Sequence, residues 1–282
     1  MKGGLVSKGK GISINIGLNS VDANHYNGWN GALKACENDA RSMHSIAEEL
    51  GYTSNLLLTT NAISGNVLRM LSMAATKLVE GDMLLLTYSG HGGQMPDWNG
   101  DESDGKDETI CLYDRQLVDD ELYQMWSRFR QGVRIFIVSD SCHSGTIIDN
   151  NPPGSTRGSS SGLVDKTISK TVPVDVCNDI YEKNKAFYRN LQNANLKTLD
   201  VIKASVILIS ACQDNQESLD GQANGLFTEK LLKVWDEGRF SGNYYDFCSG
   251  IKKLTPATQI PNMYAIGKSS YVFKHMRPFV IF

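Results

Sequence analysis

Residues 84–94 read LLLTYSGHGGQ and residues 133–145 read VRIFIVSDSCHSG. Each opens as a short apolar run and closes on glycine and small polar residues, the pattern of a fully buried strand running into a turn. Working outward from these two, Ile12–Ile16, Asn55–Thr59 and Val206–Ala211 are further predicted strands. Helical periodicity fills the intervals: Asn38–Leu50, with Ala40, Met43, Ile46, Ala47 and Leu50 on one face and Gly51 as its stop, then Ser64–Val79, Asp119–Phe129, Leu226–Glu237 and Tyr244–Leu254. Asn38 and Ser64 are read as N-caps. Apolar strands alternating with helices predict an α/β fold with a mostly parallel sheet covered on both faces, whose site opens beyond the carboxyl ends of the strands. Three segments break the pattern: Asn19–Gly31 is polar and aromatic, Met95–Glu108 reads as an acidic loop, and Asn150–Gly162 reads as a mobile linker rich in Pro, Gly and Ser.

The 282 residues suffice for one large domain or two small ones. A formal net charge of −3 gives no basis for a nucleic-acid or anionic-membrane partner. No apolar run approaches the roughly 20 residues of a membrane-spanning helix. The N-terminal MKGGLVSKGKG is basic with no apolar stretch behind it, so it is not read as a secretory signal, and no long prodomain is expected. Six cysteines without a CxxC pair suit a reducing, cytoplasmic compartment.

Both deciding stretches end in reactive side chains. His91 lies among glycines past one strand and Cys142 follows the other, so parallel neighbouring strands deliver a thiol and an imidazole to one sheet edge. That pair supplies a nucleophile and a base, and the imidazole can then protonate a leaving amine. The surrounding glycines free backbone N–H groups, those of Gly92 and Cys142, to hold a developing oxyanion. A lone cysteine after an apolar strand is commonly buried and inert, but the two motifs together favour chemistry. His143 is adjacent to Cys142, yet neighbouring side chains at a strand end point apart, so His91 is the base. No third residue that would orient His91 stands out.

YSGHGG and DSCHSG, with Cys142 lying 51 positions after His91, resemble the motifs of caspase-like cysteine peptidases of the metacaspase branch (peptidase family C14). The resemblance runs from about Ile12 to Gly267. It implies a caspase–haemoglobinase fold with a central sheet of about six strands, a large region to about residue 148, a linker and helix over 149–200 and a small region over 201–282. It also implies peptide-bond hydrolysis through a thioacyl intermediate on Cys142, and a monomer. Asp39, Asp140 and Asp214, with Ser89 at the rim, match the pocket for the residue before the scissile bond. Carboxylates there would accept Arg or Lys and repel an acidic side chain, although each aspartate could serve as a cap or turn residue. Asp107, Asp119, Asp120 and Asp149 match the family's ligands for Ca²⁺, which would activate and not perform chemistry.

The region after Cys142 carries Arg157, Lys166, Lys170, Lys183, Lys185 and Arg189, any of which could be a self-cleavage site, with an upstream activating protease as another route. Two rivals stand beside this reading. One is a caspase-fold peptidase of other specificity without a metal need, and the other is a catalytically silent scaffold. An intact Cys/His pair argues against the scaffold. The terminal HMRPFVIF could add a strand or meet a partner.

Overall fold

The computed structural model describes residues 9–98, 100, 105–142, 168–194, 202–213, 216–268 and 270–282. In chain order these form β1 (Gly11–Gly17), α1 (Cys36–Glu49), β2 (Thr53–Leu58), α2 (Ser64–Lys77), β3 (Met83–Ser89), β4 (Gly92–Pro96), β5 (Lys106–Cys111), β6 (Gln116–Val118), α3 (Asp119–Ser127), β7 (Arg134–Asp140), α4 (Val174–Lys183), α5 (Lys185–Ala194), β8 (Ser205–Ser210), α6 (Leu226–Trp235), α7 (Tyr244–Leu254), β9 (Asn262–Gly267) and α8 (Ser270–Lys274). The central sheet has the order β2-β1-β3-β7-β8-β9. Its first five strands are parallel, and β9 joins β8 antiparallel. The expected six-stranded, mostly parallel α/β architecture is the one observed.

Alternation along each strand sorts the core into two layers. Leu84, Leu86, Ile135, Ile137, Val206 and Leu208 face one way, onto Val67 and Leu71 of α2 and Leu122 and Trp126 of α3. Leu85, Phe136, Val138, Ile207 and Ile209 face the other, onto Met43 and Ile46 of α1, Phe227 and Leu231 of α6 and Phe247 and Ile251 of α7. Both faces are thereby covered, as a parallel sheet requires.

The stretch expected to be an acidic loop, Met95–Glu108, runs into strand at both of its ends. Met95 and Pro96 end β4, Lys106 begins β5, and these two pair antiparallel with Met95 opposite Asp107. β6 completes this small three-stranded sheet. The small sheet is roofed by a third cluster in which Met95, Cys111 and Val118 meet Val21 and Tyr26 of the aromatic segment and Val172, Cys177, Ile180 and Tyr188. Both expected caps are also relocated. α1 starts at Cys36 behind Ala35, and Asn38 donates its side-chain amide to the carbonyl of Ala223. Ser64 is the first residue of α2, with its N–H and hydroxyl both donating to the Asp114 carboxylate at 2.7 Å.

The register of β3 and β7 places the site. Ser89 pairs with Asp140, so both strands end level, and His91 and Cys142 each follow two residues later. Phe136, fully buried beneath this edge, meets Tyr244 at 4.8 Å and Phe279 at 5.1 Å between ring centroids. Phe136→Ala is expected to lower the unfolding free energy by about 3–5 kcal/mol, read as the shift in a urea midpoint at unchanged slope.

Candidate active site

Gly92, the residue after His91, lies hard against the Cys142 peptide. A Cβ on Gly92 would stand 1.7 Å from the Cys142 carbonyl oxygen and 3.5 Å from its nitrogen, so only glycine permits this approach. The His91 ring is buried, meets Trp29 edge-on at 4.7 Å, and bonds through Nε2 to the Gly31 carbonyl at 3.0 Å. A carbonyl only accepts, so Nε2 carries the proton and Nδ1 the lone pair. Among the described residues no donor reaches Nδ1. Burial lowers the His91 pKa to about 4, the Gly31 carbonyl opposing and the Lys170 ammonium assisting. The ring is therefore a neutral base at neutral pH. The Gly31 carbonyl is the orienting group that no side chain announced. Gly31 itself sits at φ +52°, where a Cβ would meet the Trp29 ring at 2.8 Å.

Cys142 is fully buried, and its Sγ accepts the Ser218 N–H at 2.9 Å. Burial pushes the thiol up. Hydrogen bonds from Cys212, Thr171, the Ser218 amide and Ser169 more than offset that, leaving it below its ordinary value. A thiol whose pKa is lowered and a neutral imidazole, delivered by neighbouring strand ends, are the components of a nucleophile–base pair.

Beneath them Asp39 on α1 and Asp140 on β7 converge in a pocket sealed from water. Asp39 accepts from Ser89 Oγ at 2.7 Å, Asn224 Nδ2 at 2.9 Å and the Gly225 N–H at 2.9 Å. Asp140 accepts from Ser218 Oγ at 2.7 Å and from the Thr228 hydroxyl and N–H at 2.6 and 3.2 Å. Neutral donors, several at the N-terminus of α6, hold the carboxylates and leave their charge for a cation. That cation is present. Lys170 Nζ lies 3.3 Å from Asp39, 3.0 Å from Asp140 and 3.0 Å from Ser89 Oγ, with its side chain fully buried. Gly225 floors the pocket, where a Cβ would fall 2.5 Å from Nζ. Burial and the nearby Asp140 raise Asp39 to about 6, the Lys170 ammonium opposing.

The backbone of the same residue is held as firmly. Lys170 N–H donates to the Ser218 carbonyl at 2.8 Å, and its carbonyl accepts the Gly92 N–H at 2.9 Å. On either side, Asp220 N–H donates to Ile168 O and Val172 N–H to Gly92 O. Residues 168–172 thus cross the mouth of the Cys142–His91 pair, bending at Lys170 between two isolated bridges, Ser169 to Leu219 and Thr171 to Gly92.

The sequence-expected residues Asp39, Ser89, Asp140, His91, Gly92 and Cys142 therefore come together at one sheet edge. Asp214 and Asp149 lie outside the described residues. Asp107, on β5, accepts from Gln192 Nε2 of α5 at 2.5 Å, and Asp119 and Asp120 open α3 beside β6; all three are buried. Their oxygens suit a hard cation such as calcium. Among the described residues, however, no three His, Cys, Asp or Glu side chains gather to hold a metal ion, so these acids alone do not complete a site.

His91 also couples stability to acidity. Its folded pKa lies below its unfolded one, so the unfolded chain binds the extra proton and stability falls as pH drops from about 6.5 towards 4, by about 3 kcal/mol at most. Asp39, raised in the fold, contributes in the opposite sense. The difference between wild type and His91→Asn isolates the histidine. The variant should lose less stability than wild type between pH 6.5 and 4.5 in parallel urea melts, and equal losses would contradict the assignment.

Comparison with known proteins agrees with this geometry. The caspase-domain family model matches residues 21–268. Metacaspase-1 of Kluyveromyces lactis is 31% identical over 77% of this chain, and metacaspase-1A of Aspergillus fumigatus 32% over 78%. The chain spans 56% and 59% of those two relatives' own lengths. The crystal structure of protein GSU0716 from Geobacter sulfurreducens superposes with a TM-score of 0.85 at 41% identity, covering 97% of this chain and 99% of that one. Caspase-1 from Spodoptera frugiperda shares the fold alone, with a TM-score of 0.53 at 10% identity over 93% of this chain and 88% of that one. The chain belongs to the caspase-domain family, peptidase family C14, and is of metacaspase type.

Proposed function

We propose that the chain is a cysteine endopeptidase that cuts after lysine or arginine, and that its first substrate is its own Lys170–Thr171 bond. One observation carries this reading: Lys170 is bound as a substrate would be, with its ammonium between two buried carboxylates and its carbonyl on the Gly92 amide. An acidic side chain in the same pocket would face like charges in a dry environment. A guanidinium has the fork geometry that suits two carboxylates.

In the reaction His91 Nδ1 takes the Cys142 proton and the thiolate attacks the Lys170 carbonyl carbon. The Gly92 N–H, with the Cys142 N–H as second donor, stabilises the oxyanion that forms. The imidazolium then gives its proton to the Thr171 nitrogen, the C–N bond breaks, and water hydrolyses the thioester. Until that cut, residues 168–172 fill the cleft and exclude other substrates, so the intact chain is a zymogen. Calcium would act here as an activator and not in the chemistry, and Asp107, Asp119, Asp120 and Asp149 are the carboxylates that would hold it. Asp107 supports this placement because it ties β5 to Gln192, on the helix pair that follows Lys170.

Purified chain should yield a fragment beginning at Thr171, visible by intact mass, while Cys142→Ala stays whole. The processed protein should hydrolyse fluorogenic Lys and Arg peptides and not Asp peptides, faster with millimolar calcium than with chelator. Asp140→Asn should lower kcat/KM on the Lys peptide by about 100-fold or more, as losing one partner of a buried charge pair does. Turnover of Asp peptides alone would overturn the pocket assignment, and equal rates in calcium and chelator would remove the metal.

A further inference from the structure

We propose a second activity for this cleft, resting on the self-cleavage reading: once Lys170–Thr171 is cut, the enzyme ligates lysine- or arginine-ended acyl groups to its own Thr171 amine.

The argument starts from how differently the two new ends are anchored. The Lys170 end is held by the pocket and by Ser218, contacts that any incoming Lys or Arg peptide reproduces and can displace. The Thr171 end is part of the folded core. Thr171 bridges to Gly92 in parallel register, and Val172 N–H donates to Gly92 O at 3.0 Å. The Val172 side chain is 2% exposed, in the cluster with Met95, Cys111, Cys177 and Ile180. One residue further, Pro173 accepts the Cys177 N–H as the cap of α4. None of these contacts passes through the Lys170–Thr171 bond, so none is lost when it breaks. The new amine stays where the leaving group stood, beside Gly92.

An external acyl donor then forms its thioester on Cys142 directly in front of a tethered amine. The Thr171 nitrogen attacks the thioester carbon, a C–N bond forms and the C–S bond breaks. His91 accepts the proton from nitrogen, and sulfur leaves as the thiolate. The exchange needs no oxidant, metal or further reactant. A positioned amine reaches effective concentrations on the order of 10⁵ M or above, enough to compete with water. Only the unprotonated amine reacts, and an α-amino group titrates at about 7.7–8.0, so ligation gains on hydrolysis as pH rises through that range. The same step rejoins Lys170 to Thr171 from the first acyl-enzyme, so the opened cleft can reclose before hydrolysis.

The test uses the self-processed full chain and N-acetyl-Ile-Ser-Lys p-nitroanilide, the sequence of residues 168–170. Nitroaniline release reports turnover, and intact mass reports the fate of the acyl group. The expected result is a Thr171 fragment heavier by the N-acetyl-Ile-Ser-Lys acyl group. Tandem fragmentation should place the addition on the Thr171 amine, with a ligated share several-fold larger at pH 8.5 than at pH 6.5. Full nitroaniline release with that fragment unchanged in mass at both pH values would overturn the ligase. Turnover of the donor by a chain that never yields a fragment beginning at Thr171 would instead overturn the self-cleavage reading, and the ligase with it.

Discussion

A single ammonium group lies between two buried carboxylates: Lys170 Nζ bridges Asp39 and Asp140 where water does not reach. Taking two carboxylates out of water together is costly, and one cation with a full set of donors makes it tolerable. The donors come from all over the chain. Asp39 stands on the first helix, Ser89 and Asp140 end neighbouring strands, Asn224, Gly225 and Thr228 begin α6, and Ser218 leads into it. The pocket therefore joins α1, the ends of β3 and β7 and the start of α6, and the residue that fills it lies between β7 and α4.

The neutral state of the imidazole depends on the same arrangement. With Lys170 in place, His91 is both buried and near a positive charge, and each of these disfavours a second proton on the ring. The Gly31 carbonyl fixes which nitrogen is free. Glycines at 92 and 225 matter for the space they leave, one against the Cys142 peptide and one at the pocket floor.

Much of this was legible in local sequence. Two apolar strands ending in Ser-Gly-His-Gly and Asp-Ser-Cys-His announce their own burial and their own chemistry, and parallel pairing puts their ends level. Ser89 and Asp140 sit in those motifs, whereas Asp39, on a helix, is nominated only by the family resemblance. Lys170 could not be chosen from six basic residues. What singles it out is long-range pairing with Ser218 and Gly92, which leaves no trace in composition. The Gly31 acceptor is a backbone atom without a side-chain signature. The small sheet was hidden because its strands carry Gly, Pro and acids, poor strand formers that hold through pairing and through the third cluster. α4 and α5 were within reach, since Cys177, Ile180, Tyr181 and Tyr188 mark their buried faces, but the Gly/Ser-rich stretch before them dominated the reading.

The central claim is that the two pocket carboxylates require a cation, and that Lys170 supplies it in the intact chain. Stability of Cys142→Ala against Cys142→Ala/Lys170→Met, neither able to cut itself, measures this directly, with agmatine as a free cation. Leaving a buried charge uncompensated costs about 3–5 kcal/mol, so the double variant should be less stable by that order, recover in part with millimolar agmatine, and recover nothing with a neutral amide of the same length. Equal stability of the two proteins, with no response to agmatine, would contradict the account.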